Sequence, residues 1–294
     1  MIGFHLTVSN SDISDLFKRM KFIGCKTSQI YLGNPRSMKK NIYNKNIITT
    51  YKEQIKKNNY SIYVHASYGY NLLNSKNTNI SIIKTINDIK HMDKMGMLGY
   101  VVHIGSTTNK NRVIIDGYIV KNLLKIVQKL RDGKCKILIE NQPREGNKYL
   151  SNVSDIINLW NEIKKYPKLV KRVAFCIDLC HLYTELNSIK ISNKVKQKNI
   201  IKSIVRLTDK VPVELIHLNN IITPHRDVHA MPLDPLGLIL PSVIEELMVY
   251  FRIKNINMII EMSKLYSNAK NKSDKKNVLI SWKKFISDSF IRFS

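Results

Sequence analysis

The chain has 294 residues, 44% of them hydrophobic and 8% aromatic, with 48 Lys and Arg against 22 Asp and Glu and a net charge of +26. That composition excludes a disordered tail and a disulfide-stapled miniprotein, and the length suits either two average domains or one large α/β barrel. The basic excess suits phosphate-rich partners, because Lys and Arg displace condensed counterions from nucleic acid, although abundant Lys, Asn and Ile also look like an AT-rich genome.

Eight short, β-branched apolar runs read as buried strands in chain order: 2–8, 28–33, 61–66, 99–105, 136–141, 173–179, 213–219 and 258–263. Helical periodicity lies between them. Segment 12–20 places Ile13, Leu16, Phe17 and Met20 on one face behind Ser11 as N-cap, and segment 118–131 carries Val120, Leu123, Leu124 and Val127 and ends at Gly133. Segments 79–95, 154–165, 194–209, 240–252 and 278–290 read the same way. Near-continuous apolar strands alternating with amphipathic helices predict a parallel sheet covered by helices. Eight such units predict an α/β fold, a closed (β/α)8 TIM barrel. No composition shift marks a boundary, so residues 1–294 are expected to form one domain. The polar stretches 107–112 and 268–277 read as solvated surface.

Cys25, Cys135, Cys176 and Cys180 form no CxxC pair, which favours a reducing, intracellular setting. No export signal, membrane span or lipid anchor is expected from the sequence.

A second periodicity concerns chemistry. The polar residues near the ends of the later strands are His65, His103, Glu140, Asp178, His217 and Glu261, spaced 38, 37, 38, 39 and 44 residues apart. In such barrels the site is built at the C-terminal face of the strands. Imidazole and carboxylate are the ligands zinc takes when thiolate is absent. His181 lies three residues after Asp178, and Asp227 and His229 follow the seventh strand. A lone strand-end His is ordinarily a hydrogen-bonded rim residue, but six consecutive strands ending in ligand types are hard to explain without cations to neutralise them. Nine ligands exceed the needs of one ion. His5 points to the same rim, where a supporting, phosphate-contacting or ligating role is open; Cys176 and Cys180 read as buried small residues, and His91 and His225 carry no assigned role.

The ordered set VHASY (64–68), HIGS (103–106), the Glu of ILIEN (140), CIDLCH (176–181), HLN (217–219), DVH (227–229) and IIEMS (259–263) resembles the endonuclease IV type of apurinic/apyrimidinic (AP) endonuclease. That resemblance implies a monomeric, intracellular DNA repair enzyme that hydrolyses the phosphodiester 5′ to an abasic site in double-stranded DNA, leaving a 3′-hydroxyl and a 5′-deoxyribose phosphate. It also implies removal of 3′-blocking groups. Three zinc ions per chain are implied, with manganese an alternative at one position. His65, His103 and Glu140 would hold one ion; Glu140 would bridge to a second completed by Asp178, His217 and Glu261; His181, Asp227 and His229 would hold the third. Glu140 and Glu261 are the expected catalytic carboxylates. Arg36 resembles the arginine that enters the minor groove, and Tyr68 the aromatic residue that fills the stack when the abasic nucleotide is flipped out.

The chain departs from that family in DNA-facing loops. Gly69 replaces a bulky apolar residue, Ile104 a proline, and Asn220 an Asp; NQPREG (141–146) stands where a glycine-rich loop is usual. Val228 replaces an arginine, for which Arg226 is the expected substitute. Such divergence, with the AT-rich composition, suits a member encoded by a large DNA virus. Two rival classes are a divalent-metal sugar isomerase or epimerase on a related barrel, and a non-catalytic DNA-binding protein. The first leaves the third ligand group, Arg36, Tyr68 and the charge without a role, and the second leaves the ligands without one.

Overall fold

The computed structural model describes the chain apart from residues 9–12, 37–42, 74–75, 110, 131–132, 187–193, 224–227, 263–267, 270 and 293–294. Strand β1 (Ile2–His5) leads to α1 (Ile13–Ile23), β2 (Thr27–Ile30) to α2 (Lys45–Asn58), and β3 (Ser61–His65) to α3 (Thr78–Met95). Next come β4 (Gly99–His103) and α4 (Arg112–Lys129), then β5 (Lys136–Glu140), α5 (Val153–Ile163) and the single turn α6 (Pro167–Val170). Strand β6 (Val173–Asp178) runs directly into α7 (Leu179–Leu186) and on to α8 (Lys194–Lys210). After β7 (Val213–His217), a short antiparallel pair, β8 (Asn220–Ile221) and β9 (His229–Ala230), precedes α9 (Pro241–Ile253), β10 (Asn257–Ile260) and α10 (Lys272–Arg292).

Seven strands pair in sequence order and β10 closes the circle between β7 and β1, all parallel, which is the expected (β/α)8 TIM barrel. Closure is sealed on the helical side by α10, whose Trp282 stacks on Phe4 of β1 with ring centroids 4.5 Å apart.

Because strand side chains alternate between faces, each strand divides its residues between two cores. The larger core lies between barrel and helices and takes Ile62, Val64, Ile137, Ile139, Phe175, Ile177 and Ile216. The smaller fills the barrel axis with Tyr63, Val101, Leu138, Ala174, Cys176, Leu215 and Ile259. Residues two positions beyond an axial residue return to the axis. His65, His103, Glu140, Asp178, His217 and Glu261 stand two after Tyr63, Val101, Leu138, Cys176, Leu215 and Ile259, so the pleat aims all six toward the axis.

Several sequence expectations shift. Strands end earlier than their apolar runs, since Leu6, Ile104 and Leu218 are buried in the rim segments beyond them. Helix α2 was not predicted: it is mostly polar, buries only Tyr51 and Ile55, and is capped by Asn44, whose side chain accepts from Ile47 N. Helix α4 starts at Arg112 and α10 at Lys272, each about six residues before its predicted start: the first turn of α10 is polar, and that of α4 leaves Val113 and Ile114 exposed. Gly133 is no helix cap. A Cβ there would stand 2.0 Å from Asp93 Cγ, so any larger residue would have to displace that carboxylate. Ser11, expected to cap α1, lies outside the described residues.

Candidate metal centre

Glu140 is the hub of the barrel mouth. Fully buried at the end of β5, it places Oε2 3.1 Å from His65 Nε2 and 2.7 Å from His103 Nε2, while Oε1 lies 2.9 Å from His217 Nδ1. His103 is opposite Glu140 in the β4–β5 ladder and Asp178 opposite His217 in β6–β7, so strand register alone sets these neighbours. Glu261 follows β10 and presents Oε2 3.2 Å from His217 Nδ1. Asp178 Oδ2 lies 3.7 Å from the same nitrogen and 3.6 Å from His229 Nε2. His181, on the first turn of α7, is held by its backbone N–H to Asp178 Oδ1 at 3.0 Å, and its ring centroid lies 5.8 Å from those of His103 and His229.

Hydrogen bonds fix which ring nitrogens face the centre. His65 Nδ1 donates to Ala66 O and His181 Nδ1 to Asn141 O, each at 2.8 Å, so in both neutral rings Nε2 carries the lone pair. His217 is turned the other way, with Nε2 2.9 Å from Gln29 Oε1 and Nδ1 toward the carboxylates. A bare lone pair facing a carboxylate oxygen at about 3 Å is repulsive. The arrangement is stable only with a proton on the ring or a cation between the groups. Burial alone would raise the Glu140 carboxyl, but the His103 and His217 imidazoles hold it well below the ordinary carboxylate range. Burial would lower His217, yet its neighbours Cys176, Glu261 and Glu140 raise it well above an ordinary imidazole. The donor set therefore fits divalent cations: N and O ligands, buried carboxylates, and outer hydrogen bonds that orient the rings.

Two sets of potential donor atoms converge within 4.8 Å: His65, His103 and Glu140; and Glu140, Asp178, His217 and Glu261. Glu140 belongs to both. The third expected set is only partly visible, because Asp227 lies outside the described residues. Among the described residues, Cys180 of α7 joins Asp178 and His229 within the same range, a neighbour that the reading of Cys180 as a buried small residue did not anticipate. Cys176 is buried at the axis with its thiol pushed up to about 12 by desolvation, in keeping with a packing role.

Three participants escaped the sequence reading. Gln29, fully buried on β2, donates through Nε2 to Glu261 Oε1 at 2.7 Å and lies 3.1 Å from His5 Nδ1 while accepting from His217. Asn219 donates to Asp178 Oδ2 at 2.8 Å and accepts from Glu261 N at 2.8 Å. Tyr31 packs on His5 with ring centroids 4.4 Å apart and donates its hydroxyl to Tyr68 at 2.7 Å. Gln29 and Tyr31 sit on or just after a strand with no charged residue, so strand-end chemistry alone did not mark them. His5 takes a supporting position, 3.2 Å from Glu261 Oε1.

Above the centre lies a cavity of about 660 Å³, with Tyr68 59% exposed at its wall. Tyr68 N donates to Pro35 O at 2.9 Å, joining its segment to that of the exposed Arg36, whose own N–H is held by Asn34. Arg226 lies outside the described residues. Asn268, Ala269 and Asp274 also line this cavity, correcting the reading of 268–277 as plain solvated surface. No described helix is long and apolar enough to cross a membrane.

A closed parallel barrel with clustered His and carboxylate side chains at its C-terminal mouth is the architecture of a TIM-barrel protein with a candidate metal centre. The profile of the xylose isomerase-like TIM barrel family matches residues 17–275, and the chain belongs to that family. A protein named endonuclease 4 from Acanthamoeba polyphaga mimivirus is 25% identical over 226 residues, covering 74% of this chain and 71% of its own. The fold matches endonuclease IV from Thermus thermophilus with a TM-score of 0.72 at 19% identity, over 96% of this chain and 98% of that one. A structure described as AsfvAP:AG matches with a TM-score of 0.76 at 18% identity over 99% of both chains. A D-tagatose 3-epimerase-like protein shares the fold with 0.68 at 14% identity, over 99% of this chain and 98% of its own.

Proposed function

We propose that this protein is an AP endonuclease that hydrolyses the phosphodiester 5′ to an abasic site in duplex DNA and also clears blocked 3′ ends. One observation carries the reading: Glu140 shares its two oxygens between two ligand sets at the floor of a cavity whose wall presents an exposed tyrosine tethered to the Arg36 segment. Relatives named endonuclease 4 and the net charge of +26 support it.

His65, His103 and Glu140 would hold one ion, Glu140, Asp178, His217 and Glu261 a second, and His181, Asp227 and His229 a third, zinc being favoured by the N and O donors. Bound divalent ions supply Lewis acidity toward the phosphodiester and a lowered pKa for water at neutral pH. The protein's own groups set the geometry. Glu140 fixes the separation of the two sets, Glu261 is held by Gln29 and Asn219 to orient the nucleophile, and Tyr68 fills the gap left by the missing base. Arg36, with Arg226, would hold the minor groove. Extrusion of an abasic nucleotide is cheap because it has lost its stacking.

A duplex carrying one tetrahydrofuran abasic analogue tests the assignment. That analogue cannot undergo β-elimination, so a 3′-hydroxyl product lost on chelation establishes hydrolysis. If metal-replete protein leaves it intact, the endonuclease reading falls. Sugar epimerisation, the chemistry suggested by the epimerase-like fold, becomes the assay to run next.

A further inference from the structure

Behind the segment that presents Tyr68, a polar cluster is buried between α3 and the barrel. Asp88 of α3 is 6% exposed, and its Oδ2 accepts from the Tyr100 hydroxyl at 3.0 Å, the Tyr70 hydroxyl at 3.2 Å and Lys84 Nζ at 3.4 Å. All three donors are buried as well. A buried carboxylate is costly without partners, and apolar residues of the same size often stabilise a fold as well as a buried ion pair does. Packing alone therefore gives this cluster no advantage over an apolar one. What an apolar cluster could not do is fix the Tyr70 hydroxyl.

Tyr70 closes the turn on which Tyr68 stands. Its N–H donates to Ser67 O at 3.2 Å, which leaves Tyr68 and Gly69 as the central, exposed residues. Gly69 has no Cβ to restrict its backbone, so the tip is held by what flanks it. Before the turn, Ala66 N donates to Val101 O at 2.8 Å. After it, Asn71 N donates to Ser81 Oγ of α3 at 3.1 Å and Leu72 N to Ile104 O at 2.8 Å. Helix α3 thus grips the returning chain at Ser81 and at Asp88, and the Asp88 contact is the one made to the residue that closes the turn.

We propose that Asp88 is a positioning residue, which through Tyr70 holds this turn in the conformation that presents Tyr68 to the gap left by a missing base. The inference rests on the endonuclease reading and adds to it a residue on the far side of the turn from the DNA. When the binding-competent conformer is populated only part of the time, apparent affinity falls by that fraction, while the complex once formed turns over as before.

The test uses full-length, metal-replete protein and a duplex carrying one tetrahydrofuran abasic analogue. Tyr70→Phe removes the hydroxyl and keeps the ring in the core. If the released turn presents Tyr68 about one-tenth of the time, KM rises about 10-fold at an unchanged turnover number. Loss of fold does the reverse: it lowers the active fraction, and so the apparent turnover number, and leaves KM alone. Lys84→Met/Asp88→Leu removes the buried charges together with the acceptor and raises KM in the same way, whereas Lys84→Met/Asp88→Asn keeps an acceptor for Tyr70 and stays near wild type. In a Tyr68→Ala background Tyr70→Phe adds no further change, because Tyr70 acts through Tyr68. A wild-type KM in Tyr70→Phe, a fall confined to the turnover number, equal KM in the Leu and Asn variants, or a full effect in the Tyr68→Ala background overturns the assignment while wild-type cleavage still stands. If wild-type protein leaves the abasic duplex intact, the endonuclease reading falls and takes this role with it.

Discussion

Gln29 Oε1 accepts the Nε2 proton of His217 at 2.9 Å, while the same amide donates to Glu261 at 2.7 Å. One uncharged side chain on β2 thus sets the tautomer of one expected ligand and the carboxylate orientation of another. Gln29→Leu removes both contacts and leaves His217 free to turn. Outer partners of this kind typically contribute 10- to 100-fold to metal affinity. The variant is expected to retain less metal after dialysis against a weak chelator, by roughly that factor, as measured by elemental analysis. Wild-type metal content would remove Gln29 from the centre.

Glu140→Gln removes the charge shared by two ligand sets yet keeps the side chain's size and hydrogen-bonding shape. Turnover should fall by more than about 100-fold, beyond the loss typical of an outer partner. Glu261→Gln should do the same. Circular dichroism is expected to show both variants folded, because the axial core beneath them is untouched. Near-normal cleavage by both would take these carboxylates out of the mechanism.

Much of this was legible because a parallel strand buried on both sides has no polar residue to spare. A His or Glu at its end stands out, and the nearly constant spacing from His65 to Asp178 counts units as well as marking ligands. The pleat did the rest: a ligand type two residues beyond an axial Leu138 or Val101 points to the axis without tertiary information. What stayed hidden came from contacts between distant segments. Gln29 looks like any strand polar residue until His217 and Glu261 are placed around it, and Gly133 looks like a helix stop until Asp93 is seen where its Cβ would be. Helix α2 buries too few residues to leave an apolar stripe, and α7 follows β6 with no turn between them to announce it.

Binding of cations to the folded chain alone stabilises it by mass action. With zinc at roughly 1,000-fold excess over Kd the gain is about 4 kcal/mol per site. The unfolding midpoint should therefore rise with added zinc and fall on chelation, and the rise should be smaller in His103→Ala, which removes a donor from one set and leaves the Glu140–Glu261 set in place. A midpoint indifferent to zinc and chelator would contradict a loaded centre.

Tyr31 and Tyr68 share a 2.7 Å hydroxyl contact, and the Tyr31 ring is seated on His5. Tyr31→Phe keeps that packing and releases the Tyr68 hydroxyl. A typical net hydrogen bond contributes about 0.5–1.5 kcal/mol, so KM for abasic duplex should rise between about 2- and 12-fold. The turnover number should change less, because the ligand sets are not touched. A fall confined to the turnover number would mean that Tyr31 acts on the chemistry and not on the placement of Tyr68.

Burial raises the Asp116 carboxyl to about 6, nearby Asp155 and Glu162 push it the same way, and the Tyr149 hydroxyl, donating at 2.9 Å, pulls it back. The Arg112 guanidinium, the nearby cation, also lowers it. Since the folded chain holds this proton more tightly than the unfolded one, stability falls as pH rises from the ordinary carboxylate range through about 6, and levels off above. Asp116→Asn removes the ionisation and keeps an acceptor for Tyr149. Its stability should match wild type near pH 4 and exceed it from about pH 6 upward, in thermal unfolding followed across that range. The same gap at every pH would show that the substitution acts through packing, and a gap widening toward acid would reverse the sign of the shift.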